Sequence, residues 1–237
     1  MAAGSSSDPY QKRDPMTTAL PPTPVATSCA VDISPISLTP ARGADLDPLW
    51  SAVADYTRTR SNAIHLPISL AYAERLCDAY PDADRLVVRV AILLHDVGWA
   101  RVDEERILTE GFSGDWRRSM IRYEHEKQSC RIAREVLPPL GYPDVFVEAV
   151  VAIIDGHDTR KEARSLEDAL VRDADRLWRF DHAGIALASG WFRMDPATYC
   201  DRLAAEIVPE LLTEAAIAIA TAELDRSVAL LKTAALR

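Results

Sequence analysis

Five histidines occur in this 237-residue chain, and four of them, at positions 65, 95, 125 and 157, sit on or beside apolar stretches with helical spacing. His95 is followed at once by Asp96, at the end of the run Val87-Val88-Arg89-Val90-Ala91-Ile92-Leu93-Leu94. Imidazole nitrogen and carboxylate oxygen are the donors that suit zinc, iron, manganese and other divalent ions. His125 shares a helical face with Ser129, Ile132 and Val136, and His157 closes a face formed by Val150, Ile153 and Ile154. Taken singly, each imidazole reads as a hydrogen-bonded core or surface residue. Taken together, their burial without partners would cost kilocalories apiece, and a shared cation accounts for the whole set.

Five segments carry these residues in order: Asn62-Ala63-Ile64-His65 leading into Ala71-Tyr72-Ala73; Ala91 to Gly98 around His95-Asp96; His125 to Ser129 followed by Ala133; Ile153-Ile154-Asp155-Gly156-His157; and Asp173-Ala174-Asp175-Arg176-Leu177. In this order they resemble the HD-domain superfamily of metal-dependent phosphohydrolases, over about Leu49 to Phe192. The resemblance implies an all-α helical bundle and a divalent transition metal (Fe, Mn, Zn, Co or Ni) held by His65, His95, Asp96 and a distant aspartate. That aspartate is Asp175 by its match to the family's Ala-Asp-Arg-Leu pattern, with Asp173 as competitor. The two are about 200° apart around a helix, so both cannot face one ion. The resemblance also places His125 and His157 where members with two metals hold the second ion, with Asp96 as the bridge. The other reading is one ion, with these two histidines on the substrate phosphate.

A bound divalent ion activates water and neutralises phosphoryl oxygens, so no protein nucleophile is required. No GxxxxGK phosphate loop is present. Where some members carry a glutamate one turn after the dyad, this chain has Trp99, which leaves the general acid unassigned. Arg60, Lys127, Arg160, Lys161, Arg172 and Arg176 lie within a few residues of the expected ligands. Lys127 is the expected phosphate contact, beside Asp96 as a catalytic residue, and Arg176 is expected in a structural ion pair. His182 departs from the ligand pattern and is expected at the surface or behind the ligands. Trp99, Trp178 and Trp191 are expected in the core rather than in a pocket. The expected activity is hydrolysis of a phosphomonoester or phosphoanhydride in a nucleotide or small metabolite. The alternatives are a dinuclear-iron oxygenase acting on a small organic substrate and a non-enzymatic ligand-binding module.

Positioning such a site falls to helices. From Leu49 onward apolar spacings of three and four recur and strand alternation is nearly absent. The pattern predicts helices near 46–60, 66–79, 84–97, 116–137, 143–157, 166–181, 183–192 and 198–234, the last broken at Pro209. Pro81 and the group Pro138, Pro139, Gly141 and Pro143 mark turns, and Gly98 stands where a left-handed helix cap would go. Residues 1–45 form a Pro-rich arm expected to be flexible, with Val31, Ile33, Ile36 and Leu38 available to dock on the domain at 46–237. Met16 offers an alternative start.

Composition narrows the function classes. With 27 basic and 36 acidic side chains the formal charge is −9, which argues against sequence-independent binding to nucleic acid or an anionic membrane while leaving room for a local basic pocket. An apolar content of 48% supports a sizeable core. No stretch approaches the length of a membrane span, and the polar amino terminus lacks a signal-peptide core, so a cytoplasmic location is expected. Cys29, Cys77, Cys130 and Cys200 are far apart without a CxxC pair, as reduced thiols would be. The oligomeric state is not written in the pattern.

Overall fold

In the computed structural model, which describes residues 23–27, 29–36, 44–110 and 119–235, ten α-helices and no β-strand are found among the described residues. They are α1 (Asp47–Val53), α2 (Asn62–Ala79), α3 (Arg85–Leu94), α4 (Glu104–Glu110), α5 (Ile121–Val136), α6 (Asp144–Ile154), α7 (Leu166–Leu177), α8 (His182–Trp191), α9 (Pro196–Arg202) and α10 (Glu214–Ala235). Among the described residues no helix is long and apolar enough to cross a membrane.

The centre of the bundle is α3. Asp84 caps it by accepting from the backbone N–H groups of Leu86 and Val87, and every residue from Val87 to Leu94 except Arg89 is buried. Arg89 reaches out to Asp45 and Glu74. A helix apolar on nearly all sides must be surrounded, and α2, α6 and α7 enclose this one. The end of α3 is therefore carried into the interior, where residues 95 and 96 meet side chains from three neighbouring helices.

Several boundaries differ from the periodic pattern. The second helix begins at Asn62 rather than near 66 and contains Pro67, so His65 lies inside its first turns. Ser61 and Arg60 precede it with φ of 59° and 52°, a left-handed pair that turns the chain sharply into α2. Helix α3 stops at Leu94, and after Asp96 the chain runs on as a 3₁₀ turn, Val97–Arg101. Gly98 lies within that turn and is not left-handed. A Cβ there would overlap the His125 carbonyl and the backbone N and Oγ of Ser129, so the glycine is required for close approach to α5. Left-handed glycines are Gly141, φ 88°, which ends the 3₁₀ turn Pro138–Leu140, and Gly156, φ 92°, just before His157. The expected helix over 46–60 is α1 flanked by two 3₁₀ turns, and α4 lies in a stretch where no helix was predicted. Residues 116–118 of the helix predicted over 116–137 lie outside the described residues. The C-terminal helix is broken as predicted, with a π turn at Leu203–Ile207 and a 3₁₀ turn at Val208–Glu210 around Pro209.

The described part of the amino-terminal arm is bound to the bundle. Val25 N–H donates to Leu212 O (2.8 Å), Glu214 N–H donates to Val25 O (3.0 Å), and the Tyr80 hydroxyl also donates to Val25 O (2.8 Å). Farther along, Arg226 donates to Ile33 O and Arg75 to Pro35 O. Val31 and Ile36 pack on the core, whereas Ile33 is exposed. Leu38 lies outside the described residues. Cys77, Cys130 and Cys200 are buried, Cys29 is exposed, and none forms a disulfide.

Candidate metal centre

Five helices, or the segments at their ends, deliver the six expected ligand residues to one buried spot. His65 comes from α2, His95 caps the end of α3 with Asp96 next to it, His125 projects from α5, His157 follows α6, and Asp175 comes from α7. Asp96 is 8% exposed and Asp175 6%, and the four histidines are between 0% and 4% exposed. Imidazole Nε2 atoms of His65 and His95 lie 3.1 and 3.2 Å from Asp175 Oδ1. His65 Nδ1 and His95 Nε2 lie 3.4 and 3.8 Å from Asp96 Oδ2. The other oxygen of the same carboxylate, Asp96 Oδ1, lies 3.2 Å from His125 Nε2 and 3.6 Å from His157 Nε2. Asp96 thus turns one oxygen to each pair of histidines. His65, His95 and Asp175 form one compact donor group, and His95, Asp96 and His157 form another.

Neighbouring side chains fix the orientation. His95 Nδ1–H donates to Ile92 O (2.7 Å) and His157 Nδ1–H to Ile154 O (2.9 Å), because a carbonyl can only accept. Each Nε2 then faces carboxylate oxygen with a lone pair unless it carries a second proton or shares a cation with that oxygen. This is the arrangement that directs imidazole nitrogens at a metal. Asn62 Nδ2 donates to Asp96 O (3.0 Å), and the Gly98 N–H donates to Ser129 Oγ (2.8 Å), tying the His-Asp dyad to α2 and α5. Glu126 accepts from the N–H groups of Asp158 and Thr159 and from the Thr159 hydroxyl, which pins the segment after His157. His125 Nδ1 is buried without a partner among the described residues.

The electrostatics match a cation site. Burial opposes ionisation of both carboxyls, yet charge on His95 with hydrogen bonds from His125, His157 and His65 holds Asp96 well below the usual carboxylate range. Hydrogen bonds from His65 and His95 do the same for Asp175. Burial also disfavours the charged form of His157, but Asp96 and Glu126 outweigh it and push the imidazole up to about 9.

Asp173 does not join the cluster. It is fully buried on the opposite side of α7, where its carboxylate accepts from Leu212 N–H (2.8 Å) and the Thr213 hydroxyl (2.7 Å). Burial pushes its carboxyl up to about 6. His182 is exposed at the first position of α8. Lys127, the expected phosphate contact, is also exposed and does not line the pocket, since two residues past His125 put it on another face of α5. The cations that line the pocket are Arg60, Arg122 and Arg179. Arg122 and Arg179 were not singled out by the sequence pattern, because nothing in the local spacing marks them.

Trp99 and Trp178 are buried in the core as expected and Trp191 packs against it, and all three also line the pocket. Trp99 stacks on His125 with ring centroids 4.0 Å apart and donates its indole N–H to Asp96 Oδ1 (3.0 Å). Trp178 stacks on His65 at 4.6 Å. The Arg60 guanidinium lies 4.1 Å from the Trp99 ring and 5.6 Å from the Trp191 ring. At the position where the resemblance expects a glutamate, this chain has an indole that hydrogen-bonds the Asp96 carboxylate.

Residues 63–179 match the family model described as HD domain, from the turn before His65 to just beyond Asp175. This segment is an HD domain. The match is narrower than the span of about 49–192 suggested by the sequence, so α8 to α10 lie beyond it. HD domains are mostly metal-dependent phosphohydrolases, and the clustered histidines and aspartates fit a divalent metal in such a domain. No curated protein and no solved structure matches the chain.

Proposed function

We propose that the chain is a metal-dependent phosphohydrolase acting on a small phosphorylated compound, with His65, His95, Asp96, His125, His157 and Asp175 as ligands of two divalent transition-metal ions. The observation that carries this reading is the Asp96 carboxylate, whose two oxygens face two separate histidine pairs from opposite sides. His65, His95 and Asp175 would serve one ion, and His125 and His157 the other. When bound, such ions activate water and stabilise charge on phosphoryl oxygens.

The chain's own residues supply the rest. Arg179 lines the pocket beside Asp175, and its guanidinium has no hydrogen bond or ion pair among the described residues, so it is available for phosphoryl oxygens. Arg122 is committed differently. Its Nε donates to Asp158 Oδ2 at 2.8 Å, and this contact holds the half-buried Asp158 carboxyl far below the usual range. Asp158 is therefore an ionised acceptor at the pocket rim and not a proton donor. Arg60, stacked on Trp99 and Trp191, adds a third positive charge to the pocket lining. Trp99 holds Asp96 through its indole N–H and keeps the carboxylate turned toward both histidine pairs.

Metal content after purification without chelators, measured beside phosphate release from p-nitrophenyl phosphate, tests the proposal. Two divalent ions per chain and metal-dependent release are expected. Two irons with substrate-dependent oxygen consumption and no phosphate release would replace it with the oxygenase reading.

A further inference from the structure

The pocket at the histidine cluster encloses about 30 Å³, room for ions and water but not for an organic group. Arg122, Asp158, Asp175 and Arg179 line it and also line a neighbouring cavity of about 520 Å³, a size typical of small-molecule sites. The apolar recess near Tyr199 and Leu203 on the other side of Arg179 holds only about 40 Å³. Whatever part of a substrate extends from the metal pocket has space in the large cavity alone among these three.

That cavity is cationic in a chain of net charge −9. Its walls carry Arg122, Arg160, Lys161, Arg172, Arg176 and Arg179 against the acids Asp158, Asp175 and Glu210. Each of those acids is already engaged: Asp158 by Arg122, Asp175 by two imidazoles, and Glu210 by Arg176 at 3.7 Å. Arg160 is held by Asp168 (2.6 Å). Arg172 is different. It is 3% exposed, its Nη2 donates to the carbonyls of Arg160 (2.7 Å) and Lys161 (3.4 Å), and its Nε and Nη1 have no acceptor among the described residues. Burial and the nearby Arg176 charge lower its affinity for its proton. The Lys161 ammonium is exposed, with no ion pair or hydrogen bond among the described residues. A buried guanidinium with open donors beside further cations is costly to maintain unless an anion joins it.

We infer that this cavity binds a second phosphate group of the substrate, held by Arg172 and Lys161, while Arg179 spans the distance to the phosphate presented at the histidine cluster. The substrate class is then a small bisphosphorylated compound. The inference rests on the phosphohydrolase reading for the identity of the first phosphate, but the cavity's preference for a dianion is independent of turnover.

Two measurements on the full-length, metal-loaded chain test it. First, fructose 1,6-bisphosphate and fructose 6-phosphate serve as inhibitors of p-nitrophenyl phosphate hydrolysis. The bisphosphate is expected to inhibit at least about tenfold more tightly, one charged hydrogen-bond contact's worth, and Lys161→Ala and Arg172→Met are expected to bring the ratio toward one. Second, sulfate is titrated while the melting temperature is followed, with a larger rise expected in the wild type than in either variant. Lys161 is exposed, so its variant tests the site even if Arg172→Met does not fold. Absence of p-nitrophenyl phosphate hydrolysis with the sulfate effect intact would remove the hydrolase reading and leave the anion cavity standing. Equal inhibition by the two sugar phosphates, or a sulfate rise kept in full by Lys161→Ala, would overturn the cavity proposal while leaving the hydrolase reading untouched.

Discussion

At the scale of single residues, α7 carries a direct contrast between two aspartates two positions apart. Asp175 meets His65 and His95, while Asp173 ties α7 to Leu212 and Thr213 at the start of α10. Asp175→Asn is therefore expected to reduce bound metal and abolish most activity with little change in helical content. Asp173→Asn should retain metal and lose stability instead, by about 1–3 kcal/mol, because an amide group replaces an acceptor that faces two donors. Metal analysis and thermal melts of the two variants separate these outcomes. Asp173→Asn losing metal as Asp175→Asn does would contradict the geometry. Arg179→Ala, which removes a charged donor beside Asp175, is expected to lower kcat by about a hundredfold with metal content unchanged. His125→Ala divides one-ion from two-ion sites, since in the two-ion site it removes about half the metal together with most activity, whereas in the one-ion site metal stays and KM rises.

At the scale of elements, the 3₁₀ turn Val97–Arg101 and α5 press together at Gly98, and this contact sets how far His125 stands from Asp96. A methyl group at position 98 has no space, because the obstacles are backbone atoms of α5 and the Ser129 hydroxyl that accepts from Gly98 itself. Gly98→Ala is expected to destabilise the fold by about 3 kcal/mol and to weaken metal binding. Gly141 provides the control. It has φ of 88° with no atom near its would-be Cβ, so Gly141→Ala is expected to cost about 1 kcal/mol from the left-handed backbone alone and to leave metal content intact. Equal metal content in both variants would show that the α5 contact does not set the site.

At the scale of the whole molecule, the ligand residues come from α2, the end of α3, α5, the segment after α6, and α7, so an ion held there links most of the bundle. An ion that binds the folded chain and not the unfolded one stabilises by mass action. At a free metal concentration a hundred times the dissociation constant this is about 2.7 kcal/mol, or about 5–10 °C in melting temperature for a chain of this length. Chelation, with metal loss verified, is expected to lower the melt by that amount. An unchanged melt would make the histidines ordinary core residues held by their carbonyl and carboxylate contacts.

Apolar periodicity and the order of His and Asp segments are local properties of the chain, and from them came the all-helical class, the break at Pro209, and five of the six residues that meet. The sequence also carried the helical face on which His125 lies. Tertiary packing decided the rest. Which aspartate of α7 turns inward depended on α10 offering Leu212 and Thr213 to the other one. That the core tryptophans also line a pocket depended on where His65 and His125 came to rest against them. Lys127 was near His125 in the chain and far from the pocket in space, whereas Arg179 sits beside Asp175 one helical turn later. The cavity of arginines was invisible for the same reason. Its cations come from α5, the segment after α6, α7 and the turn following it, and only folding shows that their few acidic neighbours are already taken.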